Sequence, residues 1–238
     1  MRDSGFIKEN GLNLKIVEEH VVEFRNGVRG SFSSLFQLGN LEFGKVVEIS
    51  VRQAHKDLQY RTISGHKSNA IVEGNSAKEY IISNSIDEIK KYFNGEIKDF
   101  NTLISNVKKY FINSFNAQRL SKEANLQGYG KAQKLVNMTM KYMYCFDNIR
   151  KEYREMFVKC YMPIDSIILQ WYFDCREDNE FCKNCSWSYL SDNNFINFQN
   201  IITNYSLEKD DIENYPSKVL NVEFIVWKEY RLKRNQNP

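Results

Sequence analysis

Apolar residues between Ile86 and Phe111 recur every three or four positions: Ile86, Ile89, Tyr92 and Phe93, then Leu103, Ile104, Val107, Tyr110 and Phe111. This spacing places them on one face of a helix and predicts helical structure from Ser76 onward, continuing over Phe100–Phe115. The pattern becomes helical from Ser76, and Ser85-Ile86-Asp87-Glu88 offers Ser85 as an N-cap with Glu88 at the capping-box position. Further helices are expected at Gln118–Asn125, Lys131–Met143, Asp165–Trp171, Phe195–Ile202 and Val219–Arg231, and Asn148–Cys160 reads as another helix or an ordered crossing. Leu14–Phe24 fits a helix or a strand. Lys45–Arg52 holds Val46, Val47, Ile49 and Val51 and reads as a strand. Residues 54–76 are polar and read as loop, with His55 and His66 on the surface. The expected architecture is mainly α with a minor β element near the N-terminus. An N-terminal mixed segment (1–75) packs on a helical core (76–238).

Composition supports a packed core: hydrophobic residues make up 42% of the 238 and aromatic residues 14%. With only three prolines, long uninterrupted helices are possible. The net charge of +3 permits nucleic-acid binding without demanding it, so a local basic patch would have to do the binding. No apolar run reaches the roughly 18–20 residues of a membrane span. Met1-Arg2-Asp3-Ser4-Gly5 does not open an export signal, and the five cysteines fit a reducing compartment. The expectation is a cytoplasmic monomer with no membrane role.

The stretch that suggests chemistry runs from Leu126 to Leu169. Leu126-Gln127-Gly128-Tyr129-Gly130 reads as a glycine turn between two helices. Backbone N–H groups at the start of the second helix would then form an anion site, with Lys131 beside it. Lys134 would sit in the first turns of that helix, where the dipole and Lys131 disfavour its charged form and make the amine a nucleophile. Lys134, Asn137 and Lys141 form a polar stripe opposite Leu135, Met138, Tyr142 and Phe146. Asp165 follows Pro163-Ile164 and opens the apolar run Ile167-Ile168-Leu169. That is the position of a helix N-cap, and also one from which a carboxylate can act on a developing cation.

The order Gly-Tyr-Gly, lysine, spacer, Pro-Ile-Asp resembles the helix-hairpin-helix DNA glycosylase superfamily, nearest to its archaeal 8-oxoguanine glycosylase branch. The second lysine seven residues after Lys134 and the 31 residues from Lys134 to Asp165 carry the likeness, which covers about 45 of the 238 residues. The resemblance implies a helix-hairpin-helix glycosylase-like bundle acting on DNA with a flipped nucleotide. Gln127, Gly128, Gly130 and Lys131 would hold the DNA backbone. Asp165 would stabilise the sugar cation and Lys134 would attack C1′, giving a Schiff base and lyase chemistry. Asn137, Lys141, Trp171 and Trp227 would line the base pocket. The activity implied is base excision, in DNA repair or in defence against phage DNA with modified bases.

Cys175, Cys182 and Cys185 have a spacing found in some iron–sulfur glycosylases, but Ser191 stands where the fourth cysteine would be. Free thiols are expected there, with no metal and no cofactor. Two other function classes fit the sequence: a non-catalytic helical DNA-binding module, and a helical protein-interaction subunit.

Overall fold

The computed structural model describes residues 14–27, 35–36, 41–58, 71–114, 122–175, 186–206 and 215–236. These residues are mainly helical. In chain order they form α1 (Leu14–Gly27), α2 (Phe43–Asp57), β1 (Ile71–Val72), β2 (Asn75–Ser76), α3 (Ala77–Phe93) and α4 (Phe100–Ser114). There follow α5 (Lys122–Tyr144), α6 (Asp147–Glu152), α7 (Arg154–Val158) and α8 (Ser166–Cys175). A 3-10 turn over Trp187–Tyr189 precedes α9 (Asp192–Ser206) and α10 (Lys218–Gln236).

The chain divides into two compact units, and not at the 75/76 boundary expected from sequence. One unit gathers residues 1–39, 144–187 and 193–238, and the other gathers 40–143 and 188–192.

In the second unit, α2 packs on α3 and α3 on α4. The expected strand Lys45–Arg52 is instead part of α2. Val46, Val47, Ser50, Val51, Ala54 and His55 are all buried, in rows four residues apart along one helix face. Packing of that face overrides the strand preference of the valines. The β-structure lies later, where β1 and β2 pair antiparallel around Glu73 (φ 50°) and Gly74 (φ 78°). Two consecutive left-handed residues give the twist that a two-residue hairpin requires.

The hairpin leads directly into α3. Its N-cap is Ser76, whose Oγ accepts from the Glu79 N–H at 3.2 Å. The helix therefore starts at Ser76, with the Glu79 carboxylate turned to Arg52, and Ser85 is buried in the middle of the helix. Gly95, with φ 80°, ends α3 by letting the Glu96 and Gly95 N–H groups reach the carbonyls of Lys91 and Tyr92. Asp99 then caps α4 through the Thr102 N–H. Between α3 and α4, the buried Glu88 carboxylate accepts from Lys91, Asn106 and Tyr110. Those donors hold it ionised, and the charge pushes the Tyr110 hydroxyl up to about 12 after burial has begun the shift.

In the first unit, α10 packs on α1 and on α8. Phe24 of α1 meets Phe224 and Trp227 of α10 edge to face. Tyr144 donates to Asn221 at 3.0 Å and accepts from the Ser217 N–H at 3.1 Å, and Ser217 Oγ caps α10 by accepting from Leu220. The Arg150 guanidinium lies 4.2 Å from the Tyr215 ring centroid and donates to the Tyr144 carbonyl and to Asp147. The segment expected as one helix over Asn148–Cys160 is two short ones, α6 and α7, broken at Tyr153.

Candidate functional site

Helix α5 carries most of the residues singled out from sequence, and its course changes their meaning. It runs unbroken through Gln127, Gly128, Tyr129, Gly130 and Lys131. The expected glycine turn is therefore the interior of a 23-residue helix. The N–H groups that a turn would have left for phosphate instead face carbonyls one turn back.

Gly128 serves packing. A Cβ there would meet Ile112 Cγ1 at 3.0 Å and Lys108 Cγ at 3.6 Å, so α4 approaches the α5 backbone closely at this point. Gly128, Gly130 and Lys131 are all buried. Lys131 has no accessible surface, and burial lowers its ammonium pKa to about 8. A lysine so enclosed does not present its charge to a DNA backbone. The side chain of Gln127 lies outside the described residues.

Lys134 falls twelve positions beyond the start of α5 at Lys122, so the positive end of the helix dipole, which acts within the first turn, does not reach it. Lys134 is half-buried, whereas Asn137 and Lys141 on the same stripe are buried. Asn137 Nδ2 donates to Gln133 Oε1, one turn back, at 3.3 Å. Leu135, Tyr142 and Phe146 on the opposite stripe are buried as well. The polar stripe is thus largely an interior face, open to water only at Lys134.

What accompanies those lysines was not anticipated. Asp57, the last residue of α2, accepts from the Tyr142 hydroxyl at 2.5 Å and from Gln53 Nε2 at 3.4 Å. Burial raises its carboxyl pKa above the ordinary 3.8, against the pull of Tyr142, Lys134, Lys141 and Gln53 towards the ionised form. Asp57, Lys134, Lys141 and Tyr142 therefore make one electrostatic cluster within the second unit. Asp57 was hidden in a stretch read as polar loop, and Tyr142 was assigned to the apolar side of α5. The one local signal was Gln53 and Asp57 four apart, which is legible only once α2 is known to be a helix.

Asp165 occupies the N-cap position anticipated from sequence. Its Oδ1 accepts from the Ile167 and Ile168 N–H groups at 2.8 and 3.0 Å, at the start of α8. It belongs to the first unit and Lys134 to the second. Trp171 is buried on α8, and Trp227 is half-buried on α10 with its ring against Phe24. Both belong to the first unit.

His55 is 1% exposed on α2, so the surface placement expected for it is corrected: it sits on the buried face beside Val51 and Ala54. His66, Cys182 and Cys185 lie outside the described residues, as does the side chain of Cys175. Cys145 and Cys160 are buried thiols, and burial pushes the Cys160 pKa well up. Among the described residues no three His, Cys, Asp or Glu side chains gather as a metal site, and no helix is long and apolar enough to cross a membrane.

Comparison of the chain with protein-family models, with curated proteins and with solved structures finds no match.

Proposed function

We propose that the chain is a DNA glycosylase with lyase chemistry, in which Lys134 is the nucleophile. The observation that carries the reading is the polar face of α5, where a half-buried Lys134 shares a stripe with Asn137 and Lys141 and its charge favours the ionised form of the Asp57 carboxyl. An amine nucleophile has to shed its proton, and a carboxyl group whose proton affinity is raised by burial is a suitable group to have in the same cluster. Asp165 supports the reading by position: it follows Pro163-Ile164 and heads a helix, where a carboxylate is held rigidly by backbone N–H groups. Gly128, Gly130 and Lys131 are enclosed by their helical course, so the reading does not rely on them as a grip on the DNA backbone. The base excised, and a setting in repair or phage defence, follow from the sequence resemblance alone.

Borohydride trapping on duplex DNA carrying oxidised purines, modified cytosines or an abasic site tests the proposal. A covalent adduct with the native chain that Lys134→Gln abolishes is the expected result. Absence of both adduct and base release on every substrate would remove the enzyme reading. A second reading, a helical DNA-binding module without catalysis, would have to bind through a surface other than the glycine stretch, because Gly128, Gly130 and Lys131 are enclosed in α5. Salt-dependent DNA binding untouched by Lys134→Gln and Asp165→Asn, without base release, would favour it.

A further inference from the structure

Met162 stands just before Pro163, and a residue in that position is pressed out of the helical region into extended backbone. It lies in the irregular stretch 160–165 between α7 and α8, where Met162, Pro163 and Ile164 are all buried. An extended residue inside a helical core has no neighbouring strand to take its N–H and C=O, and leaving them bare in an apolar interior is costly. Gln199 of α9 supplies both partners. Its Oε1 accepts from the Met162 N–H at 3.2 Å, and its Nε2 donates to the Met162 carbonyl at 2.9 Å. One side-chain amide thus pairs with the backbone of one residue as a neighbouring strand would.

The amide is out of keeping with its helix. Phe195, Phe198, Gln199 and Ile202 recur at helical spacing and all are buried, so Gln199 sits in the middle of the apolar face of α9, with no exposed surface. Its neighbours grip the same region from both sides. Phe195 meets the ring of Tyr161, the residue before Met162, edge to face, and Phe198 meets Tyr172 of α8 with ring centroids 4.7 Å apart. From the fixed point at Met162, the ring of Pro163 and the buried Ile164 carry a stiff chain to Asp165. The Asp165 Oδ1 in turn holds the Ile167 and Ile168 N–H groups at the start of α8. Gln199, Met162 and Asp165 all belong to the first unit.

We propose that Gln199 is the positioning residue for the Asp165 carboxylate: by pairing with both backbone groups of Met162 it fixes the segment that carries Asp165 into α8. The assignment rests on the glycosylase reading. A carboxylate that stabilises a developing sugar cation has to be in place before the cation forms, and a misplacement of about 1 Å costs about 100-fold in rate. An apolar side chain at 199 could fill the space, but it would leave the Met162 N–H and carbonyl without the amide and free the segment to shift towards other partners.

Two measurements test the assignment. The first is single-turnover base release from whichever of the duplexes named above the native chain acts on. Gln199→Met should slow the chemical step by about 10–100-fold with little change in the DNA concentration that gives half the maximal rate. Gln199→Glu adds a pH signature. As a neutral acid its side chain can accept from the Met162 N–H and donate to the Met162 carbonyl, whereas as a carboxylate it cannot donate. Its rate relative to the native chain should be restored at about pH 5 and fall to that of Gln199→Met at about pH 8. Native rates in both variants, with only a lowered urea midpoint, would make Gln199 a core contact and overturn the assignment.

The second measurement, amide hydrogen exchange, needs no DNA. In Gln199→Met the Ile167 and Ile168 amides should exchange about tenfold faster, while the amides of α4 in the second unit keep their native rates. If no DNA substrate reacts, the glycosylase reading fails by itself. Unchanged exchange at Ile167 and Ile168 overturns the positioning role whatever the activity.

Discussion

The Tyr142 hydroxyl donates to Asp57 Oδ2 across 85 positions of sequence, joining the end of α2 to the last turns of α5. The bond gives a desolvated carboxylate a strong donor, and with the two lysines it makes the polar interior of the second unit self-consistent.

Folding disfavours the ionised form of Asp57. With its folded pKa above the ordinary 3.8, the folded chain holds the proton more tightly than the unfolded one, so this group lowers stability as pH rises through that range. Asp57→Asn removes the penalty. Its urea midpoint at pH 7 should equal or exceed that of the native chain. A clear drop in midpoint would show that the carboxylate is there for stability.

Lys131 behaves in the opposite sense with pH. Its folded pKa of about 8 lies below its ordinary 10.5, so the unfolded chain binds more protons between those values and stability rises with pH. From pH 7.5 to 9.5 the gain should be about 1–2 kcal/mol. Tyr110, raised to about 12, works the other way only above pH 10. Lys131→Met should flatten the profile and stabilise the chain at pH 7, as read by urea unfolding.

Gly128 distinguishes a helix from a turn. In a left-handed turn, alanine would be strained whatever the space. In α5, Gly128→Ala gains helix propensity of about 1 kcal/mol, offset by the 3.0 Å approach to Ile112. The net change in stability should be small. Gly128→Leu should cost about 1–3 kcal/mol by forcing α4 away. A large loss on Gly128→Ala, measured by thermal or urea unfolding, would point to a turn.

Asp165 separates capping from chemistry. Asp165→Ala should cost about 1 kcal/mol of stability through loss of the two N–H bonds at the start of α8, and Asp165→Asn should cost only a few tenths. If Asp165 also acts on the sugar, Asp165→Asn abolishes base release at near-native stability. Native release in that variant would leave Asp165 as a cap alone.

Several elements were legible because their signals are local. The Asp165 cap follows from an acceptor placed before an apolar run, and α4 from apolar residues at helical spacing. Other readings failed where tertiary packing outweighed local preference. The valines of Lys45–Arg52 favour a strand in isolation, but their i, i+4 rows bury better on α3 as a helix. The helical pattern from Ser76 is legible and α3 starts there, capped by Ser76 next to a hairpin of left-handed residues, while the capping-box pattern at Ser85 lies inside the helix.

By itself, then, the sequence determined the mainly helical class, most helix positions and the cap at Asp165. These depend on periodicity and on side chains within a turn of one another. Tertiary structure decided that Gly-Tyr-Gly is helix, that Lys131 is enclosed, and that Asp57 meets Tyr142 near Lys134 and Lys141. Glycine permits a turn without requiring one, and the approach of α4 to Gly128 puts its missing Cβ to a different use. Burial and the pairing of distant charges depend on which helices pack together, and no local spacing encodes that.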